Sequence, residues 1–93
     1  MKLLLMERFL RDLADLSPQD RSRCFELLMA LPKATGAPHR HAGLGIRKLH
    51  SSGIYEARVG LALRVVFALR AEQAILVRVG SHNDVRKYLA SLT

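Results

Sequence analysis

The chain has 93 residues, 49% of them hydrophobic and 25% charged, which allows one modest core and excludes both a second domain and a disordered chain. Fifteen Lys and Arg against eight Asp and Glu give a formal net charge of +7, so the expected partner is anionic: nucleic acid, an acidic protein or an anionic membrane. The lone cysteine excludes an intrachain disulfide and a cysteine-based zinc site, and no apolar run approaches membrane-spanning length.

In chain order, the run from Lys2 to Leu5 suits either a short edge strand or an extension of the helix that follows. With Met1 and Met6 it resembles a signal peptide only superficially, because Glu7 and Arg8 interrupt it too soon. A reducing cytoplasm fits that pattern. Met6, Phe9, Leu10, Leu13 and Leu16 recur at helical steps with Arg8, Arg11, Asp12 and Asp15 opposite, which predicts an amphipathic helix. Ser17 then suits an N-cap, Pro18 the first helical position and Asp20 the positive end of a second helix. That helix is expected to end near Leu31, before Pro32. Cys24 shares a face with Leu27, Leu28 and Leu31, as a buried small hydrophobe would. Residues 32–45 hold Pro32, Gly36, Pro38, Gly43 and Gly45 and read as a loop that carries His39-Arg40-His41. Two histidines at that spacing, without a nearby Cys or Glu, are poor grounds for a metal site.

After residue 45 the period becomes two. Tyr55, Ala57 and Val59 share a face, with Glu56 and Arg58 on the other. Leu61, Leu63, Val65, Phe67 and Leu69 line one face of the next strand, opposite Arg64 and Arg70. Ile75, Val77 and Val79 repeat the pattern with Arg78 opposite. The short links at Gly60 and at residues 71–73 imply an antiparallel meander. A last short helix, Asn83 to Leu92, places Val85, Leu89 and Leu92 together. The expected fold is therefore α+β: a helix hairpin packed on one face of a twisted antiparallel sheet of three to four strands, with a short C-terminal helix, all in one domain spanning 1–93.

Residues 46–93 carry eight basic and three acidic groups, against seven and five in residues 1–45, so the anion-facing surface should lie in the second half. Arg58, Arg64 and Arg78 on an uncovered sheet face would bind phosphates bidentately and stabilise charge on a reacting phosphoryl group, or would simply form a solvated face. His82, just after the third strand of the meander, suits proton transfer or a cap for the last helix. Glu56 is the one carboxylate expected on the basic face, as a general base or, preferably, as a salt-bridge partner of Arg58. Tyr55 belongs to the core; Tyr88 suits a core edge, a base stack or a proton donor. No phosphate-cradling glycine loop, nucleophile elbow or dinucleotide fingerprint is present. A metal-free phosphoryl transfer stays open, because RNA carries its own 2′-hydroxyl nucleophile and needs only a proton acceptor, a donor and cations.

Arg47-Lys48-Leu49, Gly53 to Val59, Leu63-Arg64-Val65-Val66-Phe67 and Leu76 to Val85, in this order and spacing, resemble the RelE/ParE toxin superfamily over nearly the whole chain. The resemblance implies a toxin neutralised by a cognate antitoxin, with which it can form a heterotetramer, and no membrane association. RelE-like and YafQ-like members cut messenger RNA on the ribosome without a metal or other cofactor, whereas ParE-like members inhibit gyrase. It further implies that Arg64 lies at the scissile phosphate, that Arg58 is the basic group on the preceding strand and that His82 transfers protons. Arg47, Lys48, Arg78, Lys87 and Tyr88 would bind RNA. Two positions depart from the family pattern: Glu56 stands where RelE-like sites have Lys, and Arg86 stands where an aromatic often follows the last strand. A gyrase inhibitor and a non-catalytic binding module remain the alternatives.

Overall fold

The computed structural model describes residues 1–35 and 44–92. Gly36, Pro38, Gly43 and the His39-Arg40-His41 run lie outside them. Within the described residues the order is β1 (Lys2–Leu5), α1 (Glu7–Ala14), α2 (Pro18–Thr35), β2 (Arg47–His50), β3 (Ile54–Val59), β4 (Leu63–Arg70), β5 (Gln73–Gly80) and α3 (His82–Ala90). The α+β architecture is the expected one. The sheet, however, has five strands rather than three to four, in the order β1-β5-β4-β3-β2, and it is mixed: β1 runs parallel to β5 and the other pairs are antiparallel. The two strands outside the expected meander are the two edges, of which only β2 is not foreseen from the sequence. Leu3 and Leu5 turn towards the core while Lys2 and Leu4 turn out, so the ambiguous opening run is a strand. Arg47–His50 contains one aliphatic residue, Leu49, too few for alternation to reveal a strand.

Phe9 and Leu13 of α1 join Cys24, Leu27, Leu28 and Leu31 of α2 over Ala57, Val59, Val65, Phe67, Ala74, Leu76 and Val79 of the sheet. Phe9, Leu31 and Phe67 have no exposed surface, and each such side chain is worth about 1.5–3 kcal/mol of transfer free energy. Tyr55 stacks on Phe67, ring centroids 5.9 Å apart, at the edge of this core. Ser17 caps α2 as its position implies, its Oγ accepting from the Asp20 N–H at 3.1 Å. Cys24 is wholly buried; that burial, with Asp20 close by, pushes its thiol up to about 11. Contrary to expectation α2 does not stop at Leu31 but runs through Pro32 to Thr35. Pro32 sits within the last turn, where it removes the amide that would bond Leu28, and the buried Leu31 keeps the turn seated.

The other face of the sheet holds a smaller cluster, Ile54, Val66 and Ala68 with Val85 of α3, flanked by Leu49, Ile75, Val77, Tyr88 and Leu89. Two expectations about faces fail here. Leu61 is 99% exposed in the β3–β4 turn instead of facing the core. Ile75 and Val77 do not share a face with Val79, because the β4–β5 register shifts between Val66 and Phe67: Val66 pairs with Arg78, but Phe67 pairs with Leu76. One extra residue in β5 inverts the inside–outside phase of everything after it.

Candidate functional site

β3 places Ile54, Glu56 and Arg58 on the α3 side of the sheet, and β4 places Arg64, Val66 and Ala68 there. The register sets Arg58 directly opposite Arg64 and, on the other flank of β3, Arg47 opposite Glu56. These four residues, with Gly45 and His82, line a cavity of about 310 Å³. Three guanidiniums against one carboxylate leave it with an excess of positive charge, a setting that binds an anion.

Glu56 organises the cavity. It is 4% exposed, and its Oε2 lies 3.4 Å from Arg47 Nη2 and 3.5 Å from Arg64 Nε. The expected pairing with Arg58 is therefore replaced by Arg47, the direct cross-strand neighbour of Glu56, and by Arg64, its diagonal neighbour on β4. Its Oε1 is buried and no hydrogen-bond donor reaches it among the described residues. Arg64, whose side chain is 20% exposed, is held a second time by Nη1 donating to its neighbour Leu63's carbonyl at 3.2 Å. Arg58 is more exposed and lies over Gly45, where any Cβ would overlap the guanidinium. Gly45 also has φ +63°, the left-handed region glycine favours. In the sequence Gly45 reads only as loop punctuation; its place between the apolar Leu44 and Ile46 is the one sign of a close approach.

His82 enters from the end of β5 as the first residue of α3, and it is exposed. It does not cap the helix. Ser81 does, with Oγ accepting from the Asp84 N–H at 3.2 Å, while Asp84 Oδ2 accepts from the Ser81 N–H at 2.9 Å and the Ser81 hydroxyl at 3.0 Å. Those bonds, the backbone one first, hold the Asp84 carboxyl below its usual range. Gly80, opposite Arg64 in the β4–β5 register, is buried so tightly that an added Cβ would lie 2.6 Å from Asp84 Oδ2. The capping box thus leaves the imidazole free and fixes where it emerges.

The structure brings Arg47, Arg58, Arg64 and His82 together and sets the other named residues apart. Arg78 shares the face of Arg58 and Arg64 by register, opposite Val66, but does not line the cavity: its Nε donates to Asp12 Oδ2 of α1 at 2.7 Å. Lys48 is exposed and paired in register with Tyr55. Lys87 is exposed on α3, and Tyr88 packs against the smaller core cluster. Among the described residues no group of three His, Cys, Asp or Glu is placed to hold a metal ion, and no helix is long and apolar enough to cross a membrane.

An antiparallel sheet with a parallel edge strand, two helices on one face and a capped helix leading back beside an arginine pair define the chain as having the RelE-type toxin fold. It is similar to YafQ from E. coli strain BL21(DE3), with a TM-score of 0.73, 18% identity and coverage of 90% of this chain and 96% of that one. The E. coli DinJ–YafQ complex matches with a TM-score of 0.71, 22% identity and coverage of 90% and 96%. The archaeal RelE–RelB complex from Pyrococcus horikoshii OT3 matches with a TM-score of 0.69, 16% identity and coverage of 86% and 92%. No protein-family model matches the sequence, and no curated protein sequence matches it.

Proposed function

We propose that this protein is the toxin of a toxin–antitoxin pair and an endonuclease that cuts messenger RNA on the ribosome. The observation that carries the reading is the convergence of Arg58, Arg64, His82 and Glu56 on one small cavity. Arg58 and Arg64 grip the phosphodiester and stabilise the charge that grows on its equatorial oxygens. The ribose 2′-hydroxyl gives its proton to the Glu56 carboxylate and attacks phosphorus. As the O2′–P bond forms and the P–O5′ bond breaks, protonated His82 gives its proton to the departing 5′-oxygen. The products are a 2′,3′-cyclic phosphate and a 5′-hydroxyl, and RNA supplies the nucleophile itself, so no cofactor takes part. Arg47 extends the grip by one phosphate. Lys48, Arg78, Lys87 and Tyr88 lie farther along the path the message would take.

The partner is a cognate antitoxin with acidic segments that match the +7 charge of this chain, in an assembly such as a heterotetramer. Support comes from the fold shared with chains solved as RelE–RelB and DinJ–YafQ complexes. The cytoplasm, where messages are translated, is the setting.

Induced expression tests the reading. The natural chain should stop growth and leave cuts in messages that primer extension maps within the translated frame. Arg64→Ala, His82→Gln and Glu56→Gln should each fold yet slow cleavage by about 10²- to 10⁴-fold, the usual share of one proton-transfer or charge-stabilising group. Intact messages alongside a rise in DNA breaks would instead identify a gyrase inhibitor, and normal growth would identify a binding module.

A further inference from the structure

β1 runs out before β5 does. The Met6 N–H makes the last bond of the parallel ladder, to the Leu76 carbonyl at 3.0 Å, and the chain then turns into α1. β5 continues through Val77, Arg78, Val79 and Gly80 with no strand beside it on that flank among the described residues. Val79 is 3% exposed, and a buried amide without an acceptor costs about 1–3 kcal/mol. A side chain takes over where the strand stops: Asp12 Oδ2 accepts from the Val79 N–H at 3.1 Å and from Arg78 Nε at 2.7 Å. Arg8 Nε donates to Oδ1 of the same carboxylate at 3.2 Å. The Asp12 side chain is only 11% exposed, and Phe9 and Leu13 on either side of it are buried, so the carboxylate is held at a fixed height on α1.

The strand segment that Asp12 holds leads directly into the candidate site. Gly80 follows Val79 and faces Arg64; Ser81 and the capping box come next; His82 is three residues beyond the held amide. We infer that Asp12 is a positioning residue for His82: by standing in for the missing strand at Val79, it fixes the end of β5 so that the imidazole stays in the cavity with Arg58 and Arg64. The inference rests on the nuclease reading above. The Asp12 carboxylate bonds to Arg8, Arg78 and Val79, and none of these three lines the cavity. Its loss should therefore slow the chemical step and touch RNA binding only through Arg78.

The test uses the intact protein on ribosome-bound message, well below its melting temperature, and measures the maximal single-turnover cleavage rate and the protein concentration that gives half of it. Asp12→Ala should lower the maximal rate by about 10- to 100-fold, the scale of a small misplacement of a reacting group, with the half-saturating concentration shifted no more than in Arg78→Ala. The Val79 amide should meanwhile exchange its proton freely. Asp12→Asn keeps an acceptor oxygen and should recover most of the rate; Arg8→Ala, which removes only the exposed ion pair, should cut normally. An Asp12→Ala protein that cuts at the natural rate although its Val79 amide is unprotected overturns the inference and leaves the nuclease reading standing. An Asp12→Asn protein no faster than Asp12→Ala overturns it as well. A natural chain that cuts no message overturns both.

Discussion

Arg58 and Arg64 face one another across the β3–β4 ladder, two like charges at directly opposed positions. Such a pair is unfavourable by about 0.2–1 kcal/mol in a sheet, and Glu56 relieves only the Arg64 side of it. An anion between the two guanidiniums removes the repulsion, so the folded state should bind oxyanions that the unfolded chain does not. Sulfate at about 100 times its dissociation constant would stabilise the protein by about 2.7 kcal/mol and raise Tm by roughly 10–20 °C. Differential scanning fluorimetry across a sulfate series, with chloride at matched ionic strength, reads this. Arg64→Ala should abolish the sulfate response. An equal response in that variant would mean the anion sits elsewhere.

Much of this arrangement is legible from sequence because it is local. Arg58 and Arg64 are separated by one tight turn, and alternation on either side of it puts both on one face. Ser17 likewise announces the start of α2, and Cys24 its buried face. What escapes is non-local or depends on an irregularity. β1 pairs with β5 across a separation of 71 residues, and no pattern within Lys2–Leu5 names that partner. The extra residue in β5 is invisible to a period-two count, so Ile75 and Val77 look as if they share the face of Val79. Arg78 does lie on the Arg64 face, opposite Val66, but nothing in the alternation says that Asp12 draws its guanidinium away from the arginine pair. Glu56 carries a residue-type signal, a lone carboxylate among arginines. Its burial follows from the second edge strand, β2, which brings Arg47 over it.

The contact between Gly80 and Asp84 supplies a second prediction. A Cβ at residue 80 would lie 2.6 Å from Asp84 Oδ2 and 2.9 Å from Asp84 Cβ, so Asp84 must retreat and the capping box must open. Gly80→Ala should therefore destabilise the fold by about 1–3 kcal/mol, the range for overpacking a buried position, as measured by urea unfolding. Because α3 begins at His82, the same change should displace the imidazole and slow cleavage even where the fold persists. An alanine variant of unchanged stability would show that Asp84 can move away freely and that the cap does not fix the start of the helix.

Acid should undo this cap in a defined direction. The Asp84 carboxyl is held below its ordinary value first by the Ser81 backbone N–H, then by the Ser81 hydroxyl, with Arg78 and Lys87 adding attraction. A carboxylate depressed by folding contributes stability that is fully present above the unfolded value of about 3.9 and is lost as pH falls through the folded one. The natural chain and Asp84→Asn should thus differ in urea stability at neutral pH, with the natural chain ahead, and the gap should close as the solution is acidified below about pH 4. Hydrogen bonds dominate the shift, so most of the gap should survive added salt, whereas a gap built on Arg78 and Lys87 would be screened away. A difference that stayed constant from neutral pH down to acid would remove the charged form of Asp84 from the account of how α3 is anchored, and with it the fixed point from which His82 projects.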